Sequence, residues 1–331
     1  MPQTIKLALL DDYQKVALRL GDWDRLRKRG VEITVIHEPF ASIDDAVARL
    51  APFHVLQLLR ERTAFPRALI ERLPNLRFMV LTGARATSLD DQAATDRGIP
   101  ISNTPGGGSN APTAELAWAL LMSCARDLAK AERVMRTGGW HDGIAGMQVL
   151  EGKRLGVLGL GKLGSRIAGY GKAFGMDVVA WSQNLTAEKA AAGGARLVGK
   201  DELLATSDFI SIHLVLSDRT RGLIGAAELA RMKKTAMLIN TSRGPIVDEA
   251  ALIAALKSGT IAHAGLDVYD REPLPAGHAL GKLDNVTLVP HLGYVVEGSY
   301  RHFHAGTIAD IEAWLDGKPI NVINPAALER A

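Results

Sequence analysis

Arg243, Glu272 and His291 stand at the ends of short apolar runs and beside glycine or proline. Arg243 lies in Asn240-Thr241-Ser242-Arg243-Gly244, directly after the apolar run 236–239. Glu272 closes Gly265-Leu266-Asp267-Val268-Tyr269-Asp270-Arg271-Glu272-Pro273, and His291 sits in Val289-Pro290-His291-Leu292-Gly293. A guanidinium grips a carboxylate with a planar two-pronged fork. An imidazole exchanges protons near neutral pH. A carboxylate beside the imidazole orients the ring and favours its protonated form. The three together suit chemistry at a carbon that carries a hydroxyl next to a carboxylate. Taken singly, each has a plainer reading. Arg243-Gly244-Pro245 approaches a helix capped by Asp248, Pro290-His291 is a strand exit, and Glu272-Pro273 is a solvated loop. Together, at successive strand ends of one sheet, they form a site, because such sheets bind ligands at their carboxyl edge.

The elements that must position them are legible from the spacing of apolar runs. Residues 155–158 form an apolar run that enters Gly159-Leu160-Gly161-Lys162-Leu163-Gly164, and a helical pattern follows over 165–174. Strand, glycine turn and helix in that order make a dinucleotide-binding turn. Gly159 permits the tight turn, Gly161 admits a pyrophosphate close to the backbone, and Gly164 lets helix and strand touch. Further strands are expected at 178–181, 209–213, 236–240, 262–266 and 286–289, six in all with 155–158. An earlier series alternates strands at 6–10, 33–36, 55–59, 78–82 and 101–103 with helices at 13–29, 43–50, 66–73 and 90–97. Such alternation predicts parallel sheets with right-handed crossovers. The run Thr104-Pro105-Gly106-Gly107-Gly108-Ser109-Asn110-Ala111-Pro112 reads as a hinge. A long helix is expected over 113–136 and another over 297–315.

The 331 residues, 47% hydrophobic, are enough for two domains with their own cores. Basic and acidic residues, 39 and 36, are interspersed, so no nucleic-acid partner is expected, and without a run of roughly 18 apolar residues no membrane is expected either. The single cysteine, Cys124, excludes a multi-cysteine metal site, and no metal is expected. A cytoplasmic location is the default. In a dinucleotide fold, an acidic residue about 20 positions after the glycines usually holds the ribose. Here Ser182-Gln183-Asn184 occupies that strand end, and Asp177 stands at the opposite end. Both NAD(H) and NADP(H) therefore stay open.

The runs at 159–164, 240–244, 265–273 and 290–293 together resemble the D-isomer-specific 2-hydroxyacid dehydrogenase family, which includes D-3-phosphoglycerate, D-lactate, glyoxylate/hydroxypyruvate and formate dehydrogenases. The resemblance spans nearly the whole chain. It implies an α/β protein of two Rossmann-like, doubly wound parallel-sheet domains with an active-site cleft between them. Residues 1–104 with 296–331 would bind substrate, and 105–295 would bind the dinucleotide. It implies reversible hydride transfer between NAD(P) and C2 of a 2-keto or D-2-hydroxy acid, in a homodimer. Arg243 would bind the substrate carboxylate, His291 would act as acid and base, and Glu272 would be its partner. Gly159, Gly161, Lys162, Leu163, Gly164, Ser182, Thr241, Ser242 and Asp267 would contact the cofactor. Arg60, in Arg60-Glu61-Arg62-Thr63, and the backbone of Gly83-Ala84 would contact the substrate. For Arg60, a surface charge after a strand is an equal reading. After Ala84 the chain departs from the family and carries Arg85, which either selects a second anionic group or faces solvent. The alternative from another class is a non-enzymatic corepressor that senses NAD(H) on the same scaffold.

Overall fold

The computed structural model describes residues 4–84, 86–104, 110–144 and 147–330. The chain divides into two compact units. One comprises Met1–Ser109 with Val296–Ala331, and the other Asn110–Val295. The expectations placed on Arg85 and on most of the glycine-rich run at 105–109 lie outside the described residues.

The first unit holds five strands, β1 (Ile5–Leu9), β2 (Val31–Val35), β3 (Val55–Leu58), β4 (Phe78–Leu81) and β5 (Ile101–Asn103). They lie in the order β2-β1-β3-β4-β5, and all pair in parallel. Side chains alternate between two apolar layers, as the pleat requires. Leu7, Leu9, Val55, Phe78 and Val80 enter the layer that meets the helix Glu297–Leu315 through Ile308 and Ile311. Ala8, Leu10, Leu56, Leu58, Met79 and Leu81 enter the opposite layer. Phe78 stacks on Trp314 with ring centroids 5.2 Å apart. The helix Glu297–Leu315 therefore completes the first unit's sheet, although it lies at the far end of the sequence.

The second unit holds β6 (Arg154–Leu158), β7 (Asp177–Trp181), β8 (Arg196–Leu197), β9 (Phe209–Ile212), β10 (Met237–Asn240), β11 (His263–Leu266) and β12 (Val286–Leu288). The order is β12-β11-β10-β9-β6-β7-β8, and all pair in parallel. The chain winds outward from β6 in both directions, so the switch point lies between β6 and β9. Leu155, Val157, Phe209, Met237 and Ile239 face one buried layer, while Leu158, Ile210, Ile212 and Leu238 face the other. Burying each such aliphatic side chain is worth roughly 1.5–3 kcal/mol.

Three expectations need correction. The helix expected over 13–29 is two short helices, Ala17–Leu20 and Asp24–Arg27. Between them Trp23 is buried and donates its Nε1 proton to the Ala17 carbonyl at 2.8 Å, so tertiary packing of one indole outweighs helical periodicity. The helix expected over 113–136 breaks at Asp127, whose left-handed backbone (φ 50°) separates Ala111–Arg126 from Leu128–Arg136. The sheet of the second unit has seven strands, where six were expected. β8 is two residues long and starts with an arginine, so it offers no apolar run to read. Elsewhere local signals act as written: the Asp248 side chain caps the helix Glu249–Ser258 by accepting the Ala251 amide at 2.9 Å. Among the described residues no helix is long and apolar enough to cross a membrane.

Two buried histidines set a pH dependence. His213 has its Nε2 2.8 Å from the Ser211 hydroxyl. His304 packs its ring against Trp23 and Tyr300 and lies 3.4 Å from the Gln57 amide nitrogen. Burial pushes both rings down to about 4 from the ordinary 6.5. The unfolded chain takes up protons below about pH 6.5, while the folded state resists them until about pH 4. Stability is therefore fully present above about pH 6.5 and is lost as pH falls through 4. Asp267 and Asp310, pushed up to about 6 by burial, act in the opposite sense over the same window, so the check is a difference. In urea melts between pH 7 and 4, His304→Gln should lower the slope of stability against pH by up to about 1.4 kcal/mol per pH unit relative to the parent chain. An unchanged slope would show that His304 does not titrate in this window.

Candidate active site

The carboxyl ends of β10, β11 and β12 carry Arg243, Glu272 and His291 on three consecutive connections of one sheet. Asn240, the last residue of β10, holds the first connection. Its side-chain oxygen accepts the Ser242 amide at 3.0 Å, and its side-chain nitrogen donates to the Arg243 carbonyl at 3.0 Å. The Ser242 hydroxyl donates to the Ile212 carbonyl at the end of β9, 2.8 Å away. Arg243 is half-buried, and its guanidinium donates to the Ser242 carbonyl at 2.7 Å. Gly244 then passes so close to β11's exit that a Cβ there would fall 2.1 Å from the Tyr269 carbonyl carbon. No side chain fits, which is why glycine follows the arginine.

The connection after β11 is organised by Asp267 and Tyr269. The Tyr269 hydroxyl donates to the carbonyls of Leu266, at 3.2 Å, and Val289, at 2.9 Å. Its amide donates to one Glu272 oxygen at 3.0 Å. The other Glu272 oxygen lies 2.5 Å from Nδ1 of His291. With Nδ1 engaged by a carboxylate, Nε2 is the nitrogen that exchanges a proton with a ligand. Both side chains remain about one-third exposed, Glu272 at 33% and His291 at 27%, so a ligand can reach them.

His291 has a left-handed backbone (φ 52°), a conformation that costs a bulky residue roughly 1–3 kcal/mol. Asp267 holds it there. Its two oxygens accept the amides of Leu292 and Gly293, and its own amide donates to the Asn240 carbonyl at 3.0 Å. Burial pushes the Asp267 carboxyl up to about 6, against the opposing pull of those amides and of His291. Thr113 adds a hydroxyl bond to the Gly293 carbonyl at 2.8 Å.

The glycine turn after β6 fits a dinucleotide. Gly159 has φ 94°, and a Cβ there would fall 2.6 Å from the His213 carbonyl oxygen. Gly164 supports a closer approach: its Cβ would fall 2.0 Å from the Gly159 carbonyl oxygen. A Cβ on Gly161 would meet nothing within 4 Å, so this glycine keeps a cradle open at the N-terminus of the helix Lys162–Ala173. No side chain caps that N-terminus, and its amides with the helix dipole suit a pyrophosphate. Lys162 is exposed and Leu163 half-buried in the first turn. Thr241 is buried at the end of β10, and its hydroxyl has no partner among the described residues. Ser182 directly follows β7, while Asp177 at its other end pairs with Arg154 at 2.7 Å. No carboxylate stands at the ribose end of that strand.

In the first unit Arg60, Gly83 and Ala84 follow β3 and β4. Arg60 also has a left-handed backbone (φ 57°), and its amide donates to the Thr82 hydroxyl at 2.9 Å. Its guanidinium covers Gly83 so tightly that a Cβ there would fall 1.7 Å from a guanidinium nitrogen. Arg60 is thus half-buried against a neighbouring strand end rather than a plain surface charge. The Gly83 amide donates to the Thr104 hydroxyl at 2.8 Å. Ala84 is exposed, and its carbonyl accepts the Asn103 side chain at 2.8 Å. The sequence reading gave no role to Asn240, Tyr269 or Thr104. Asn240 and Tyr269 lie inside the runs that carry the resemblance, but the turn that Asn240 braces and the two strand exits that Tyr269 joins have no signal in the spacing.

The site is one in which a nucleotide-binding turn and a carboxylate–imidazole pair share a sheet. The family model "D-isomer specific 2-hydroxyacid dehydrogenase, NAD binding domain" matches residues 118–293. A glyoxylate reductase from Aeropyrum pernix is 40% identical over 77% of this chain and 78% of its own length. A D-3-phosphoglycerate dehydrogenase from Archaeoglobus fulgidus is 35% identical over 92% of this chain, which spans 58% of that protein. The crystal structure of a phosphoglycerate oxidoreductase from Vibrio cholerae O395 superposes with a TM-score of 0.89 at 34% identity, covering 95% of this chain and 99% of that one. The chain belongs to the D-isomer-specific 2-hydroxyacid dehydrogenase family. It is an NAD(P)-dependent oxidoreductase acting on CH–OH donors, and nothing in these comparisons favours the corepressor alternative.

The glycine geometry separates binding from folding. Gly161→Ala should leave the melting temperature unchanged and weaken NADH binding by about ten-fold or more, read by fluorescence titration. Gly164→Ala should instead lower stability by about 1–3 kcal/mol, because the added methyl collides with backbone. Equal effects of the two substitutions on binding and stability would contradict this division.

Proposed function

We propose that this protein reduces a small 2-keto acid of the glyoxylate and hydroxypyruvate class to the D-2-hydroxy acid, and runs the reverse reaction. The observation that carries the reading is the Glu272–His291 pair, 2.5 Å apart, on the sheet whose first turn fits the dinucleotide. The substrate class follows from the glyoxylate reductase at 40% identity. The 159–164 turn would hold the nicotinamide cofactor, which when bound would supply hydride chemistry at C2. Arg243 holds the substrate carboxylate and draws charge from the C2 oxygen. His291, protonated, gives its Nε2 proton to that oxygen in reduction and takes it back in oxidation. Glu272 keeps the ring oriented and stabilises its positive charge. Asp267 holds the turn that aims His291 and would help hold the nicotinamide end of the cofactor. Thr241 and Ser242 border the cofactor beside Arg243. In the first unit Arg60 contacts the substrate, with Gly83 as its platform and Ala84 beside it. Ser182, lacking a negative charge, allows NADP(H) as well as NAD(H) at the ribose.

We further infer a cytoplasmic homodimer that associates through the second unit. Trp140 and Val149 are 69% and 67% exposed, with Leu128, Met135 and Phe174 also exposed in that unit. So many large apolar side chains on one unit suit an interface between copies.

Two experiments test these readings. His291→Ala should lower turnover by about 100- to 10,000-fold while NADH still binds, measured with glyoxylate, hydroxypyruvate, pyruvate and phenylpyruvate and with both cofactors. Near-normal turnover would remove His291 as the acid and base, and consumption of NADH with none of the four acids would remove the substrate class. Trp140→Asp should shift the mass measured by light scattering from dimer to monomer at micromolar concentration. A wild-type monomer, or a variant that stays dimeric, would count against this interface.

A further inference from the structure

The first unit contains a half-buried polar cluster, built on the buried Asp11 and Tyr300, that no step of the reaction uses. Asp11 follows β1, and the 60–63 loop follows β3, its direct neighbour in the sheet. Asp11 is 1% exposed and has a left-handed backbone (φ 61°), matching the left-handed Arg60 (φ 57°) on the adjacent strand end. Two non-glycine residues in this conformation, side by side, persist only where the surroundings fix them from several directions.

Arg62 supplies most of that fixing. One guanidinium nitrogen donates to the Asp11 carbonyl at 2.6 Å and to the Gln14 side-chain oxygen at 3.1 Å. The other reaches the Tyr300 hydroxyl at 3.5 Å. The Tyr300 hydroxyl in turn donates to Gln14 at 2.9 Å. The Arg62 guanidinium also lies 4.7 Å above the Tyr13 ring. Next along the loop, the Thr63 hydroxyl donates to the Asp11 carboxylate at 2.8 Å. On the other side, Glu61 accepts the Thr87 amide at 2.8 Å. The loop is therefore gripped from the exit of β1, from the segment after β4 and from the helix Glu297–Leu315. A lysine keeps the charge but lacks the planar fork that reaches the Asp11 carbonyl with one nitrogen and the Tyr300 hydroxyl with the other.

We propose that Arg62 is a positioning residue: through Asp11, Gln14 and Tyr300 it locks the 60–63 loop in the backbone shape that lays Arg60 on Gly83, and so sets the affinity for substrate. The inference rests on the reading above that Arg60 contacts substrate. Arg62 acts only through Arg60, which distinguishes it from a residue that touches substrate and from one that merely holds the fold. Tyr300 ties the same device to the C-terminal helix.

The test is a double-substitution cycle on the full chain, with KM and kcat for glyoxylate and hydroxypyruvate, NADH affinity by fluorescence, and melting temperature. Arg60→Ala should raise KM, and Arg62→Lys should raise it by about ten-fold with kcat and NADH affinity within about two-fold of wild type. Combined, the two should raise KM no further than Arg60→Ala alone, because Arg62 has nothing left to position. Tyr300→Phe removes one oxygen and should raise KM by about two- to five-fold with little change in melting temperature, so the idea is tested even if Arg62→Lys folds poorly. If Arg60→Ala raises KM while Arg62→Lys and Tyr300→Phe do not, or if the effects multiply in the double variant, the positioning role is wrong and the substrate contact stands. If Arg60→Ala leaves KM unchanged, the substrate contact fails and the positioning role falls with it.

Discussion

Asp267 is fully buried, and its two carboxylate oxygens accept the adjacent amides of Leu292 and Gly293. Its own amide reaches the Asn240 carbonyl, so one residue joins the exits of β10, β11 and β12. A buried carboxylate is costly unless paired, and here two converging donors pair it. What that arrangement secures is the left-handed turn at His291, and with it the 2.5 Å approach to Glu272. Without an acceptor for these two neighbouring amides, the strained turn keeps only the Thr113 and Tyr269 hydroxyl bonds and the Glu272 contact.

Close backbone contact is the second constraint, and it operates at both halves of the site. Gly164 against Gly159 closes the dinucleotide turn, and Gly244 against Tyr269 closes the arginine turn. In each case the missing side chain permits an approach that sets a polar group in place: the open amides of the helix Lys162–Ala173, and the guanidinium of Arg243. Arg60 on Gly83 repeats the device in the first unit. The parallel sheets make this economical, because every strand exit delivers its loop to the same edge.

The parallel strands were legible because their runs are apolar on both faces, and the helix Glu297–Leu315 because its pattern is long and uninterrupted. The residues with charge and chemistry, Arg243, Glu272 and His291, were legible because each sits where a run ends beside glycine or proline. The breaks at Trp23 and Asp127 were not, since an indole seeking a buried carbonyl and a single left-handed residue leave periodicity intact. The two-residue β8 was not, since pairing along β7, rather than its own composition, makes it a strand. The bond from the Gly83 amide to Thr104, 21 residues away at another strand exit, has no local signal either.

The order of strands, glycine turns and charged exits was written in the sequence, because local apolar patterning and glycine's conformational freedom act over a few residues. Which side chains share work was decided by the tertiary structure. Tyr269 bridges two strand exits, Asp267 meets the Leu292 and Gly293 amides 25 and 26 positions on, and Arg62 meets Tyr300 across 238 positions of the chain. Hydrogen bonds need matched partners within about 3 Å, and only the folded sheet brings such distant residues that near.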